Sequence, residues 1–197
     1  ACQWAYIPVG TNPYNYSIQN MTVDLNGDII QVGKITGVAD MDPGSGATQV
    51  SNTSFGGNIF VSKTSVNGNL IWIKYFWTQG GTNFDFKGLQ VNSNNEIVII
   101  GNYFGLVDFD LSVNGVDTLR SHFQTYPDYF VAKYTPSGDL QWAFNIGTTS
   151  TNNIESRALS IMPNNNILVI ANPSGGGFVD VDPSAAIHNS IGGNANI

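Results

Sequence analysis

The sequence predicts an all-β repeat protein, on three observations. The segment Val23-Asp24-Leu25-Asn26-Gly27-Asp28-Ile29-Ile30 returns as Val91 to Val98 and again as Ile161 to Leu168, at spacings of 68 and 70 residues. Asp40-Met41-Asp42 returns as Asp108-Phe109-Asp110 and Asp180-Val181-Asp182, and Asn58 to Lys63 returns as Asp128 to Lys133, in the same order. Every apolar run is short and bounded by Gly, Asn, Ser or Pro, which favours strands over helices. Self-similarity at a fixed period of this size means one supersecondary unit copied and stacked on its neighbours.

Each unit reads as four strands. In the second they are Phe86 to Val91, Glu96 to Gly101, Tyr129 to Tyr134 and Leu140 to Ile146, rich in β-branched and aromatic residues. The first two strands are joined at Asn26-Gly27, Asn94-Asn95 or Asn164-Asn165, and the last two at Asn67-Gly68 or Ser137-Gly138. These pairs tolerate positive φ and predict tight hairpins with primed turns. Between the second and third strands runs a longer segment, such as Gly37 to Asn58, which reads as an exposed connection carrying the Asp-x-Asp pair.

A tryptophan holds one place on the fourth strand, at Trp4, Trp72 and Trp142. Four antiparallel strands per repeat with an aromatic at a fixed position describe the blade of a β-propeller. The chain divides accordingly: residues 1–14 carry the last strand of a preceding blade, 15–83 and 84–152 are blades, and 153–197 is a partial blade. Propellers close with about four to eight blades. The chain is therefore expected to be an incomplete ring or a segment of a larger propeller. A second reading has Cys2 to Pro8 supplying a strand to the last blade, so that the ring closes only by pairing with another copy. Exposed blade faces predict self-association in either case.

Composition narrows the function. Net charge is −7, from 14 acidic and 7 basic residues, with no basic stripe, so a nucleic-acid backbone is not an expected partner. No apolar run approaches the roughly 18 residues of a spanning helix, and no signal peptide is read. Cys2 is the single cysteine. It falls in register with Leu70 and Leu140, which reads as a core slot rather than a lipid-modified terminus.

The segment Asp128-Tyr129-Phe130-Val131-Ala132-Lys133-Tyr134-Thr135-Pro136-Ser137-Gly138-Asp139-Leu140-Gln141-Trp142-Ala143, together with Val107-Asp108-Phe109-Asp110, resembles the SBBP-type β-propeller repeats of secreted, Bacteroidetes-type bacterial surface proteins. Asp40-Met41-Asp42-Pro43-Gly44 and Asp180-Val181-Asp182-Pro183 keep the Asp-x-Asp-Pro of that pattern, and Asp108-Phe109-Asp110-Leu111 departs from it. The resemblance implies secretion and surface display more than any particular chemistry, since propellers host unrelated functions.

The recurring carboxylates are Asp40, Asp42, Asp108, Asp110, Asp180 and Asp182. In extended chain, residues i and i+2 face one way, so each pair offers two hard oxygens to Ca2+. The other reading is that the aspartates cap backbone amides of the following turn. Lys63 and Lys133 recur near these pairs, as exposed ion partners of small worth. His122 and His188 lie at different offsets and are not equivalent positions. No nucleophile elbow, zincin or phosphate-loop motif occurs, and the chain is read as a non-enzyme. Trp77 does not recur, its counterpart being Gly147, and reads as a candidate ligand contact beyond the end of a strand. The expected function is a non-catalytic extracellular scaffold that displays or binds protein or glycan partners at a cell surface. The alternatives are the non-catalytic part of a larger polysaccharide-active enzyme, or a structural subunit of a surface filament or sheath.

Overall fold

The computed structural model describes residues 9–42, 44, 46–52, 58–79, 84–122, 126–147, 154–173, 177–180 and 189–192. Cys2, Trp4, Asp182, His188 and the segment at 196–197 lie outside the described residues. The described chain is all-β, with 15 strands in antiparallel pairs. The first unit holds β1 (Val9–Val23), β2 (Ile29–Asp40), β3 (Gln49–Asn52), β4 (Asn58–Thr64) and β5 (Leu70–Thr78). The second holds β6 (Phe84–Val91), β7 (Ile97–Tyr103), β8 (Leu106–Asp108), β9 (Thr118–Arg120), β10 (Asp128–Tyr134) and β11 (Leu140–Ile146). The third contributes β12 (Ile154–Ile161), β13 (Ile167–Pro173), β14 (Gly177–Asp180) and β15 (Asn189–Gly192).

The four principal strands of each of the first two units pair in chain order, β1-β2-β4-β5 and β6-β7-β10-β11. The third unit shows the same opening hairpin, β12 on β13. Its repetition extends to irregularities. A bulge interrupts the first pairing after Ile18, after Phe86 and after Ser156, placing Gln19, Lys87 and Arg157 in the extra position at the spacings of the sequence period. In the first two units the bulge brings the first strand close to a glycine of the second. A Cβ on Gly33 would overlap the carbonyl oxygen of Ser17, and one on Gly101 that of Asp85.

The tight turns differ from the primed type that their Asn-Gly pairs predict. In each of five hairpins a residue's N–H bonds the carbonyl four positions on, and its own carbonyl accepts three positions on, as in Asp24 N to Asp28 O and Gly27 N to Asp24 O. Only one turn residue has positive φ: Gly27, Asn95, Asn165, Gly68 or Gly138. The loops are type I turns closed by a left-handed residue, the longer of the common hairpin solutions.

The core lies between units. Ile30 and Val32 of β2 pack in one cluster with Phe84, Phe86, Ile97, Ile99, Phe109 and Phe130 of the second unit. Within it Phe84 lies 4.8 Å from Phe130 and 5.0 Å from Phe86, ring centre to ring centre. Val98 and Ile100 on the opposite face of β7 pack against Leu159, Ile161, Ile167 and Val169 of the third unit. Each sheet therefore buries both faces only where units flank it on both sides. The described strands fall into four separate sheets and close no ring or barrel.

Candidate functional site

The Asp-x-Asp segments, which read as exposed loop in the sequence, sit at the tips of hairpins. Asp40, Asp108 and Asp180 are each the last residue of a strand and pair with Gln49, Thr118 and Asn189. The residue between the aspartates points inward: Met41 and Phe109 are buried, and Phe109 O accepts a hydrogen bond from the Tyr134 hydroxyl at 3.0 Å. With its centre anchored, the segment presents both carboxylates to the loop that follows.

They bind that loop in the same way in the two units whose tips are described. Asp40 Oδ1 accepts from Asp42 N at 3.0 Å and from Thr48 N at 2.9 Å. Asp108 Oδ1 accepts from Asp110 N at 3.0 Å and from Asp117 N at 2.9 Å. Asp42 Oδ1 accepts from Gly44 N, and Asp110 Oδ1 from Ser112 N, at 2.8 and 2.9 Å. The first aspartate thus clasps both ends of the tip and the second makes an Asx turn inside it. Glycines press on the second carboxylates, since a Cβ on Gly46 would overlap Asp42 Oδ2 and one on Gly115 would overlap Asp110 Oδ2. Among the described residues no group of three or more His, Cys, Asp or Glu side chains converges as a metal cluster would. Asp182 lies outside the described residues, and for Asp180 only the backbone is described.

The repeated lysines go elsewhere than the sequence reading placed them. Lys63 Nζ lies 2.7 Å from Asp24 Oδ2 and 3.3 Å from Asp28 Oδ2, carboxylates of the first tight turn rather than of the Asp-x-Asp pair. The Lys63 and Asp24 side chains are 7% and 1% exposed, so this is a buried pair. Burial pushes the Asp24 carboxyl upward, but hydrogen bonds from Lys63 and from the amides of Asp28 and Asn26 outweigh it and hold it below its usual value. Lys133 repeats the contact with Glu96 at 2.6 Å. Hydrogen bonds from Lys133, Asn92 and Gln141 bring the Glu96 carboxyl down to about 2.

Trp72 packs at the edge of the interunit cluster, and its indole Nε1 donates to Pro136 O of the next unit at 3.3 Å. Gly138 in that turn leaves room for it, with the indole 3.1 Å from where a Cβ would stand. Trp142 stacks on Phe144 at 5.5 Å beside the second junction.

Trp77 lies within β5, not beyond it, because the strand is prolonged by pairing with β8 of the next unit, Trp77 opposite Asp108. Its side chain is 57% exposed beside that second tip. At the counterpart of Trp77 the second unit has Gly147, and the reason is local. A Cβ there would overlap the imidazole of His122, which is held by Asp128 Oδ2 at 2.8 Å from Nδ1. The buried Asp128 also accepts from His122 N and Asn145 Nδ2, both at 2.9 Å. Spacing marks His122 only as a non-recurring loop residue; the one sequence signal of its contact is the glycine at 147 where the preceding unit has Trp77.

A cleft of about 520 Å3 opens at the tight-turn end of the first strands, lined by Thr22, Leu25, Gln90, Ser93, Met162 and Asn165 among others. The units are stitched there. Asn95 Oδ1 accepts from Leu25 N at 2.9 Å, and Asn165 Oδ1 from Ser93 N at 3.2 Å. No family model, curated protein or solved structure matches the chain.

Proposed function

We propose that the chain is a β-propeller-type repeat scaffold of the secreted, surface-displayed bacterial kind, non-catalytic, which holds protein or glycan partners outside the cell through its exposed rim. One observation carries this reading. The polar residues that recur are bonded within the scaffold, the aspartates to their own tips and the lysines to turn carboxylates, while the aromatic Trp77 and the His122 corner differ between otherwise matching units. A constant frame with variable edges is how scaffolds separate stability from recognition. The propeller reading is supported by the chain-order meanders and by β1, β6 and β12, the first strand of each unit, packing side by side. No described helix is long and apolar enough to cross a membrane.

The test is binding to arrays of surface glycans and surface proteins with the whole chain and with Trp77→Ala. A ligand whose affinity falls about tenfold or more on loss of an exposed aromatic anchor supports the reading. A second reading, distinct from the non-catalytic part of a larger enzyme, is that this chain is itself catalytic through His122, whose ring is oriented by a buried carboxylate as a general base would be. Release of reducing ends from a polysaccharide, abolished by His122→Ala and untouched by Trp77→Ala, would replace the scaffold reading with a hydrolase.

A further inference from the structure

Two departures from the repeat meet at one place. Trp77 has Gly147 as its counterpart, and the tip of the second unit carries Val113 and Val116 where the first unit's tip is built from Pro43, Gly44, Ser45, Gly46 and Ala47. The pairing of β5 with β8, and of β8 with β9, sets Trp77, Asp108 and Thr118 in one cross-strand row. Residues opposed in this way share a face of the sheet, and two strand spacings put the backbones of Trp77 and Thr118 about 10 Å apart. The ladder runs on into the tip through Phe109 N and Asp117 O at 2.9 Å, so Val116 stands just beyond Thr118.

The frame does not need these side chains. Val113 is 98% exposed and Val116 76%, in the same neighbourhood as the exposed indole. The clasp beneath them is made by the carboxylates of Asp108 and Asp110 with the amides of Asp110, Ser112 and Asp117, and uses neither valine side chain. Leu111 of the same tip is buried, so the tip covers one aliphatic residue and leaves two outside.

Aliphatic groups offer the hydroxyls of a sugar no hydrogen bond. An exposed indole among apolar neighbours suits the centre of a protein interface instead. Charge narrows the partner. Asp108, Asp110 and Asp117 belong to this tip, with Arg120 the one cation on β9, in a chain of net charge −7. A second copy would bring the same carboxylates and be repelled, whereas a surface with lysine or arginine around an apolar patch is attracted.

We infer that the junction of the first and second units is a docking site for another protein, whose apolar patch, rimmed by basic residues, receives Trp77, Val113 and Val116. The inference rests on the scaffold reading and chooses between the partner classes that reading leaves open.

The test is selection of a phage-displayed library of random linear peptides on the whole chain. The expected binders combine apolar residues with net positive charge and weaken as salt is raised. They should bind Trp77→Ala, and the double variant Val113→Ser/Val116→Ser, about tenfold or more less tightly, while both variants keep the circular dichroism spectrum and melting temperature of the parent chain. Binders that are acidic, or indifferent to these substitutions, overturn the proposal, as does a selection that yields none. Glycan binding lost in Trp77→Ala and intact in the valine variant would keep the scaffold reading and overturn the protein partner. Co-sedimentation with phosphatidylcholine vesicles, or self-association, abolished by the valine substitutions would give the surface to lipid or to a second copy and overturn it too. Failure of the scaffold reading itself shows differently, as polysaccharide cleavage that His122→Ala abolishes.

Discussion

Replacing Lys63 by Met should be among the most damaging single changes in the first unit, although it alters a charged residue on a strand. The substitution keeps the length of the side chain and removes its charge. What remains is the Asp24 carboxylate, 1% exposed, with only the amides of Asn26 and Asp28 on one of its oxygens. Breaking a buried pair by deleting one partner costs about 3–5 kcal/mol, because the other charge stays buried and uncompensated. At a urea slope of about 3 kcal/mol/M, the midpoint should move by about 1 M or more. The control is Lys74→Met. Lys74 sits 2.8 Å from Asp139, but the Asp139 side chain is 60% exposed, so that pair is worth under about 1 kcal/mol. Both variants must be compared at one protein concentration if the chain associates. The pH dependence separates charge from packing. In the native protein the depressed Asp24 carboxyl contributes stability above its ordinary value of 3.8, lost as pH falls below it. Without Lys63, burial raises the folded value above the unfolded one, so the variant's deficit is full near neutrality and narrows as pH falls. A penalty no larger than that of Lys74→Met, or one independent of pH, would refute the buried-pair argument.

Three further expectations follow from other contacts. Glu96, pulled from 4.5 to about 2, contributes stability that is present above pH 4.5 and lost as pH falls toward 2; carboxyl chemical shifts should show the titration, and Glu96→Gln should flatten the acid limb of the melting curve. Asn95→Gly keeps the left-handed turn but loses the bond from Leu25 N, at about 1 kcal/mol by denaturant melt, and Asn95→Ala should cost about 1 kcal/mol more for strain at φ 60°. If the tips are backbone clasps, chelator-stripped protein should melt at one temperature with and without millimolar Ca2+, and Asp110→Asn should keep its Asx turn; a rise of several degrees with Ca2+ would assign the second carboxylate oxygens to the ion instead.

The repeat period, the strand positions in the second unit and the tight-turn positions were legible because they depend on local alternation and on residues that tolerate positive φ. The middle of each Asp-x-Asp was not. Nothing local separates Met41 or Phe109 from a loop residue, and the tip becomes a hairpin only because Gln49 and Thr118 return to pair with Asp40 and Asp108, nine and ten residues on. The lysines were misplaced for a related reason. Lys63 and Asp24 are 39 residues apart and meet only through the pairing of β2 with β4, which sequence spacing does not supply. Yet a clue was present, for Asp28 and Glu96 recur at the period alongside Lys63 and Lys133. The type I turns escaped because an Asn-Gly pair satisfies both hairpin solutions, and the register of the flanking strands decides between them.

The aspartate clasp has a consequence for what such a chain can become. Asp40 bridges to Thr48 and Asp108 to Asp117, so the enclosed segment differs by one residue while the bonds at its mouth are unchanged. Mouth and contents are independent. Because the cost of lengthening a loop grows only slowly once its ends are held, new sequence inserted after Ser112 need not disturb the paired strands beneath it. Each tip is in effect a socket of fixed width and free depth. Foreign peptides grafted between Asp110 and Asp117 should be presented by a frame whose folding they barely touch, which makes the chain a display platform.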